Sequence, residues 1–536
     1  MSGLRRWLAE GTAQRWLTAA AVLLALGMVA GLIGVVVEVA GGFFWPQRLV
    51  ELQLGDGSNV LGEVWDRESD PGSPGMERVR VKVGNRDLFG ADFRWIRESD
   101  VRKRDFPAGA WLIERREYGN FYGFPIRLEL PSATVAVADP LFRTALAREV
   151  DGAHDLVREE RGLLRRVDRL HAPVAKLMVL VAAAQRRGED AHALEARLAN
   201  AQRSEDEATR PIMERLAAAR QRLNQARLVM STADGREKQV PVSAVVRAVP
   251  VNRLGSAQKV GLYVERWWEF LADEPRESNT EGGIFPAIFG TALMVVLMTV
   301  AVVPLGVVTA VYLNEYAREG ALTAAVRIAL ANLAGVPSIV FGAFGLAFFV
   351  YTLGGGIDRL FFSSVLPTPT FGTGGITWAA LTLALLTLPV VVVATEEGLQ
   401  AVPQAVRDGA RALGATRWQT LRRVVLPYAM PGILTGAILA VARGAGEVAP
   451  LMLTGVVKLA PNLPFDSVPP FLHLDRKFMH LGFHIYDVGF QSPNVEAAKP
   501  MVYNAVLVLI VLVVALNLTA IMLRNRLRRK LRGSAV

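Results

Sequence analysis

The chain contains no cysteine, which excludes disulfides, thiol nucleophiles and Cys-ligated metal centres. It carries no GxxxxGK[ST] run, so no phosphate-cradling loop and no ATP hydrolysis of its own is expected. Histidine is scarce, six in 536 residues. His154, His171 and His192 are strung along helical stretches without the spacing of a ligand cluster. No metal and no cofactor is expected. Apolar residues are plentiful, at 51% hydrophobic with a mean hydropathy of +0.29. Charged residues still make up 21%, too many for a wholly embedded chain, so apolar spans must alternate with a water-soluble part. A net charge of +10 in a soluble protein would suggest nucleic acid. Here much of the excess sits beside apolar spans, where Lys and Arg set orientation, and nucleic acid is not expected as a partner.

A helix needs about 20 apolar residues to cross a bilayer. Six stretches qualify, at about Trp16–Phe44, Ile284–Leu313, Ala324–Leu353, Thr377–Thr395, Tyr428–Leu453 and Met501–Leu523. The lipid bilayer is therefore the first partner. The first stretch follows Arg5, Arg6 and Arg15 and is too long for a cleaved signal segment, with no clear small-x-small site behind it, so it reads as a retained anchor. Those cations place residues 1–15 in the cytoplasm, and six crossings return the basic tail, 525–536, to the same side. Residues 45–281 then form one large extracytoplasmic insertion, which is itself rich in Arg, but long loops translocate largely regardless of charge.

Within the insertion, residues 48–137 read as strands and turns. Arg78–Val83 alternates strictly and is followed by a GNRD turn, and Trp111–Leu130 is aromatic and Gly-punctuated. Residues 140–232 read as a helical hairpin, with Leu156, Leu163, Leu170 and Leu177 every seven and a second run of Leu194, Leu198, Ile212, Leu216 and Leu223. Pro173 and Pro211 are expected to kink or interrupt it. A Leu stripe is ordinarily packing, so the hairpin is assigned no chemistry; contact with a binding protein or sister subunit is the alternative. Val240–Leu254 looks extended.

The stretch Asp408–Pro427 lies in a polar, Arg-rich loop, 397–427, between two apolar spans. It opens Asp408-Gly409-Ala410, reaches Gly414 after three residues, and closes at Leu426-Pro427. This resembles the EAA loop of ABC importer permeases, with Asp408, Gly409 and Val424 departing from its usual residues. Gly282–Thr291, Pro304–Ala317, Asn332–Ala347, Leu388–Pro403 and Ala442–Leu451 follow in an order similar to the permease subunits of bacterial phosphate ABC importers, over about 250 residues. The resemblance implies an all-α polytopic membrane protein of the type I ABC importer permease fold, about six transmembrane helices in 16–44 and 282–524, carrying an α+β insertion. It also implies a phosphate importer in the bacterial cytoplasmic membrane, with a second homologous permease, a cytoplasmic ATPase dimer and an extracytoplasmic phosphate-binding protein as partners. Asp408, Gly409, Ala410, Gly414, Leu426 and Pro427 would then couple to the ATPase. On physical grounds a short amphipathic helix is expected between Gly414 and Pro427, with the glycine turning the chain and the proline stopping the helix before the fifth span. The alternative is a loop held to lipid by its arginines.

Arg443 and Glu447 lie inside the fifth stretch, four residues apart, on what should be one helical face. A charge at bilayer depth costs at least ~2.5–3.5 kcal/mol unless it is paired or faces water. Either the two are a structural pair, or Arg443 offers bidentate hydrogen bonds to an oxyanion while Glu447 holds it or accepts from monoprotonated phosphate. Gly444, Ala445 and Gly446 allow close approach. Val393 stands where similar permeases often have Arg, and Arg327 or the partner permease would supply the charge. Asn332, Pro337 and Ser338 are expected to unwind or kink the third span. Two rivals remain. One is a permease for another oxyanion such as molybdate or sulfate, or the sister phosphate permease; the other is a membrane sensor or scaffold built around the insertion.

Overall fold

The first helix, α1, runs from Thr12 to Phe43 and is exposed from Arg15 to Val35, as an apolar helix in lipid would be. The computed structural model describes residues 12–71, 75–363, 365–466, 471–492 and 495–533. Arg5 and Arg6, on which the orientation expectation leans, and residues 534–536 of the basic tail lie outside the described residues. The chain divides into two compact units: Trp45–Gly283 with Gly354–Gly372, and the remainder, which holds the apolar spans.

The insertion begins with five antiparallel strands, β1 (Leu49–Leu54), β2 (Asn59–Ser69), β3 (Glu77–Lys82), β4 (Phe93–Arg97) and β5 (Val101–Asp105), in the order β4-β3-β2-β1-β5. The strict alternation of β3 explains its two faces. Val79 and Val81 are fully buried with Leu52 and Ile96, while Arg78 stacks on Trp95 at 4.3 Å and Lys82 on Trp65 at 5.3 Å. A second sheet holds β6 (Trp111–Arg115), β7 (Phe121–Glu129) and β8 (Thr134–Ala136). Its remaining strands arrive after a long helical hairpin, α2 (Phe142–Arg187) and α3 (His192–Leu223). These are β9 (Arg227–Ser231), β10 (Glu237–Pro241) and β11 (Val245–Val249), in the order β10-β9-β7-β6-β11.

Two expectations are corrected here. Helix was expected to 232, but it ends at Leu223, and Arg227–Ser231 pairs with β7 because Leu228, Val229 and Met230 are fully buried there. Of the kink or interruption expected at Pro173 and Pro211, the interruption is absent: both sit inside continuous helices. Packing of Leu163, Val167 and Leu170 against Ile212 and Leu216 holds the hairpin together across the missing hydrogen bonds. His171 contacts Glu205 at 2.8 Å and His154 contacts the Val245 carbonyl at 3.1 Å, so the hairpin histidines have separate local partners.

A helix rich in aromatics, α4 (Ser256–Ala272), closes the insertion. Its inward Arg266 and Glu269 join a charge network with β6 and β11. Glu114 bonds to both Arg247 and Arg266, and Glu269 bonds to Arg247 at 3.1 Å and Arg276 at 2.5 Å. Burial opposes ionisation of Glu114, and the guanidiniums of Arg266 and Arg247 outweigh it, holding the carboxyl below its usual range. Glu281, beside the same network, has no such clamp.

The remaining helices are α5 (Phe285–Val311), extended by a wide turn over Tyr312–Tyr316, α6 (Ala321–Leu333), α7 (Ser338–Phe361) and α8 (Ile376–Gln400). They continue with α9 (Gln404–Ala412), α10 (Arg417–Gly446), α11 (Ala449–Thr454), α12 (Leu481–Tyr486) and α13 (Val495–Gly533). Six of these helices are long and apolar enough to span a bilayer: α1, α5, α7, α8, α10 and a stretch of α13 from Ala498 to Arg526. The third span, expected over Ala324–Leu353 with an unwinding or kink at Asn332, Pro337 and Ser338, is broken at that place and runs on to Phe361. Pro337 forces its predecessor out of the helical region, α6 ends at Leu333, and a new helix starts at Ser338 and runs to Phe361. Helix α8 is the centre of this unit. It packs with α5 and α10 around Met294, Met298, Val302, Leu383, Ala440 and Ala445. A Cβ at Gly432 would lie 2.6 Å from Gly398 Cα, so α8 and α10 touch backbone to backbone.

Burial pushes Glu281 up to about 7 from its usual 4.5, against the pull of Lys82 and Arg276. A carboxyl whose folded pKa is raised stabilises the fold below its unfolded value and loses that contribution as pH rises through the folded one. Protection of the β6–β7 amides, measured by hydrogen exchange on the whole chain, should therefore fall between pH 4.5 and 7. Glu281→Gln should flatten that dependence; an unaltered slope would remove Glu281 as its source.

Candidate functional site

The loop between α8 and α10 is built as two helices and a turn. Helix α9 ends in a Schellman motif: Gly414 donates to the Arg411 carbonyl at 2.9 Å, and Ala415 donates to the Ala410 carbonyl at 3.2 Å. This requires the left-handed backbone that Gly414 adopts, φ 82°. The next helix is started by a capping box. The Thr416 hydroxyl accepts from the Gln419 amide at 3.2 Å, and the Gln419 side chain accepts from the Thr416 amide at 2.9 Å.

The expected helix between Gly414 and Pro427 is not a separate unit. Helicity starts at Arg417 and runs through Pro427 into the fifth span without a stop. A wide turn over Leu421–Val425 precedes the proline. There the hydrogen-bond ladder is already displaced, so the missing N–H and bulky ring are tolerated. Leu426 is half-buried in a cluster that also holds Leu313, Val392, Leu399, Val402 and Val425. Asp408 accepts from Gln404 at 3.2 Å and faces Arg411 at 3.7 Å, on the exposed side of α9. Gly409 has open space where a Cβ would go, so neither turn nor packing demands glycine there. The turn itself presents Leu413, 91% exposed, and Trp418, 57% exposed.

Sequence reasoning missed the group that fixes α9. Arg407 is buried, and its guanidinium donates to Glu315 at 2.5 Å and to the Leu399 carbonyl at 2.7 Å. Glu315 lies in the wide turn after α5, and Asn314 donates to it at 3.1 Å. One residue thus ties α9 to the ends of both α5 and α8. The signal that could have found it is an acid at the close of an apolar run. Beside it, Arg327 of α6 pairs with Glu396 of α8 at 3.3 Å. This engages the cation suggested as a substitute for the missing basic residue at Val393, which is half-exposed.

Arg443 and Glu447 are brought together, though not on one helical face. Helix α10 ends at Gly446, and Glu447 is extended (φ −80°, ψ 135°). The expected run to Leu453 is broken there, and Pro450 sits in the first turn of α11. Arg443 Nε lies 3.7 Å from Glu447 Oε1, an ion-pair distance too long for a hydrogen bond. Both side chains are partly exposed, 35% and 21%. Gly444 makes the close approach expected of it, against Met298 of α5, whereas Gly446 faces open space. The arrangement offers a planar donor fork at a helix end, held loosely by a carboxylate.

The family described as "Binding-protein-dependent transport system inner membrane component" matches residues 302–462. The "Probable ABC transporter permease protein YqgI" of Bacillus subtilis is 32% identical over 269 residues, covering 49% of this chain and 85% of that one. The "Phosphate transport system permease protein PstA 1" of Mycobacterium tuberculosis H37Rv is 35% identical over 258 residues, 48% of this chain and 75% of the relative. The "Phosphate transport system permease protein PstA" of Yersinia pestis is 37% identical over 188 residues, 35% of this chain and 57% of its own length.

Removing a partner from a buried ion pair costs about 3–5 kcal/mol, because the other charge is left unpaired. Arg407→Ala should therefore loosen α9 from α5 and α8 and speed hydrogen exchange of residues 404–420 well beyond that of α8. Arg407→Lys should recover part of the protection. Equal exchange in wild type and Arg407→Ala would show that the apolar cluster alone holds the hairpin.

Proposed function

The chain belongs to the binding-protein-dependent ABC importer permeases, and we propose from that premise that it carries inorganic phosphate across the membrane as one half of a permease pair. It is a multi-pass membrane protein with an added α+β insertion. The observation that carries the substrate assignment is Arg443, a guanidinium held at a break in a spanning helix by an ion pair too long to be a hydrogen bond. The similarity to phosphate permeases supports the same reading.

In this reading both ends and the α9–α10 loop face the cytoplasm, where an ATPase dimer binds, and the insertion faces the phosphate-binding protein outside. ATP hydrolysis belongs to the ATPase subunits. The exposed Leu413 and Trp418 seat in a groove on the ATPase, as apolar side chains at a loop tip otherwise carry an unfavourable exposure. Closure of the ATPase dimer tilts α9, and the Arg407–Glu315 bond passes that tilt to α5 and α8 as a rigid-body motion. The path through the spans then alternates between outward and inward access. Arg443 presents two parallel N–H groups to a phosphate oxyanion on its way through. Glu447 keeps the guanidinium aimed when no anion is present, and it accepts a hydrogen bond from the protonated phosphate oxygen. Charge-assisted bonds of this kind are worth about 1.5–3 kcal/mol each.

Radiolabelled phosphate uptake into proteoliposomes holding the full complex tests this, with ATPase activity recorded alongside. Arg443→Gln should lower uptake about 10- to 100-fold, the equivalent of one such bond, while binding-protein-stimulated ATPase activity persists. Unchanged uptake would make Arg443 a structural charge. Uptake of molybdate or sulfate in place of phosphate would reassign the substrate.

A further inference from the structure

Helix α4 is amphipathic in the wrong sense for a helix that faces water. Its inward side is charged: Arg266 and Glu269 are engaged in the network with Glu114, Arg247 and Arg276, around the buried Leu262 and Phe270. Its outward side carries an apolar stripe, with the exposed Glu265 beside it reaching back to Arg247 at 2.9 Å. Val260, Val264 and Trp268, spaced four apart, are 50%, 59% and 71% exposed. Residues four apart stack on one helical face, so the three form a continuous ridge. A helix bathed in water places its charges outside and its valines inside.

We propose that this ridge lies in the headgroup–acyl boundary of the bilayer and anchors the insertion to the lipid surface. Chain continuity supports lipid over a protein occupant. The ring of Tyr263 sits 5.8 Å from that of Trp45, and Trp45 follows the end of the spanning helix α1 by two residues. The middle of α4 is thus held beside the residue at which the chain leaves a membrane span. In the chain, α4 ends at Ala272 and the next spanning helix starts at Phe285, so the helix lies in sequence between two spans. The residue types fit the position. The ring of Tyr263 contacts those of Trp45 and Trp267, and Trp268 is exposed beside them in the chain; such aromatics are enriched at the membrane–water boundary, where an apolar ring body meets a polar edge. A helix lying in that plane buries its apolar face about 5–10 Å into the boundary.

The absence of cysteine from the chain makes the test direct. Single cysteines are placed at Val260, Val264 and Trp268, and in the full chain each carries a nitroxide in vesicles of phosphatidylethanolamine and phosphatidylglycerol. Accessibility to molecular oxygen, which concentrates in lipid, is compared with accessibility to a water-soluble nickel chelate. Ser204→Cys, on the exposed surface of α3, gives the water-facing reference, and Val300→Cys, exposed on α5, the lipid-facing one. The three α4 sites should show an oxygen-to-nickel ratio about tenfold above that of Ser204→Cys, approaching that of Val300→Cys. A ratio equal to that of Ser204→Cys would overturn the proposal. So would exclusion of both reagents, which would mean that protein covers the ridge. The readout depends on neither the identity of the transported anion nor the ATPase.

Discussion

One largely buried ion pair fixes the loop between α8 and α10 to the spans. Glu315 lies in the wide turn that ends the second span, and Arg407 lies in the first turn of the loop helix that follows the fourth; they are 92 positions apart. Each alone would be costly at a buried site, and together they satisfy one another while the second nitrogen of Arg407 caps the Leu399 carbonyl. Around them the apolar cluster of Leu313, Val392, Leu399, Val402, Leu421 and Val425 supplies most of the adhesion. The pair supplies direction, because a guanidinium fork bonds in one geometry and packing alone tolerates sliding. A hairpin fixed in that way moves only with the helices it is bonded to, as the proposed coupling would require.

Much of this was legible in the sequence, and the reasons are local. Spans are recognisable because lipid accepts only long apolar helices. Gly414 is recognisable because a helix followed by a reversal needs a left-handed residue. The failures arise where a local rule has a nonlocal answer. Proline ends helices in general, yet α10 passes through Pro427 because a wide turn has already shifted the ladder. The hairpin helices pass through Pro173 and Pro211 because each is packed against the other. Strand β9 lies far from β7 in the chain and was absorbed into the neighbouring helix pattern, since only the partner strand identifies it. Arg407 and Glu315 share no spacing at all. Spacing of four was equally silent about Glu447: it fits a shared helical face, and it also fits an ion pair reaching across a helix end.

The insertion solves a different problem. Two sheets and a helical hairpin must hold still on a chain anchored at both ends, and their charged residues are numerous enough to do it by pairing. Glu114, Arg247, Arg266, Glu269 and Arg276 interlock across β6, β11 and α4. That interlock turns Arg266 and Glu269 of α4 inward and leaves its valines and Trp268 outside. The polarity of one helix is thus decided by the network beneath it, and the surface it presents is a consequence.

Two separate costs fall at one place in the fifth span. A guanidinium sits in a stretch, Leu426–Gly446, that carries no other charge, and the helix itself ends next to it, at Glu447. Charge in a bilayer is expensive, and so is backbone removed from its hydrogen-bond ladder, which is tolerated at membrane depth only inside protein or beside water. A fold selected for stability alone would separate these costs or remove both. An Ala in place of Arg443 would remove the charge, and a helix continued past Gly446 would restore the ladder. Gly444 shows that close packing against α5 is available on this turn, so the site is not one that packing had to abandon. Departures from local rules that coincide in space are expected at functional sites. This coincidence is the physical ground on which the proposed anion contact at the Arg443–Glu447 break rests.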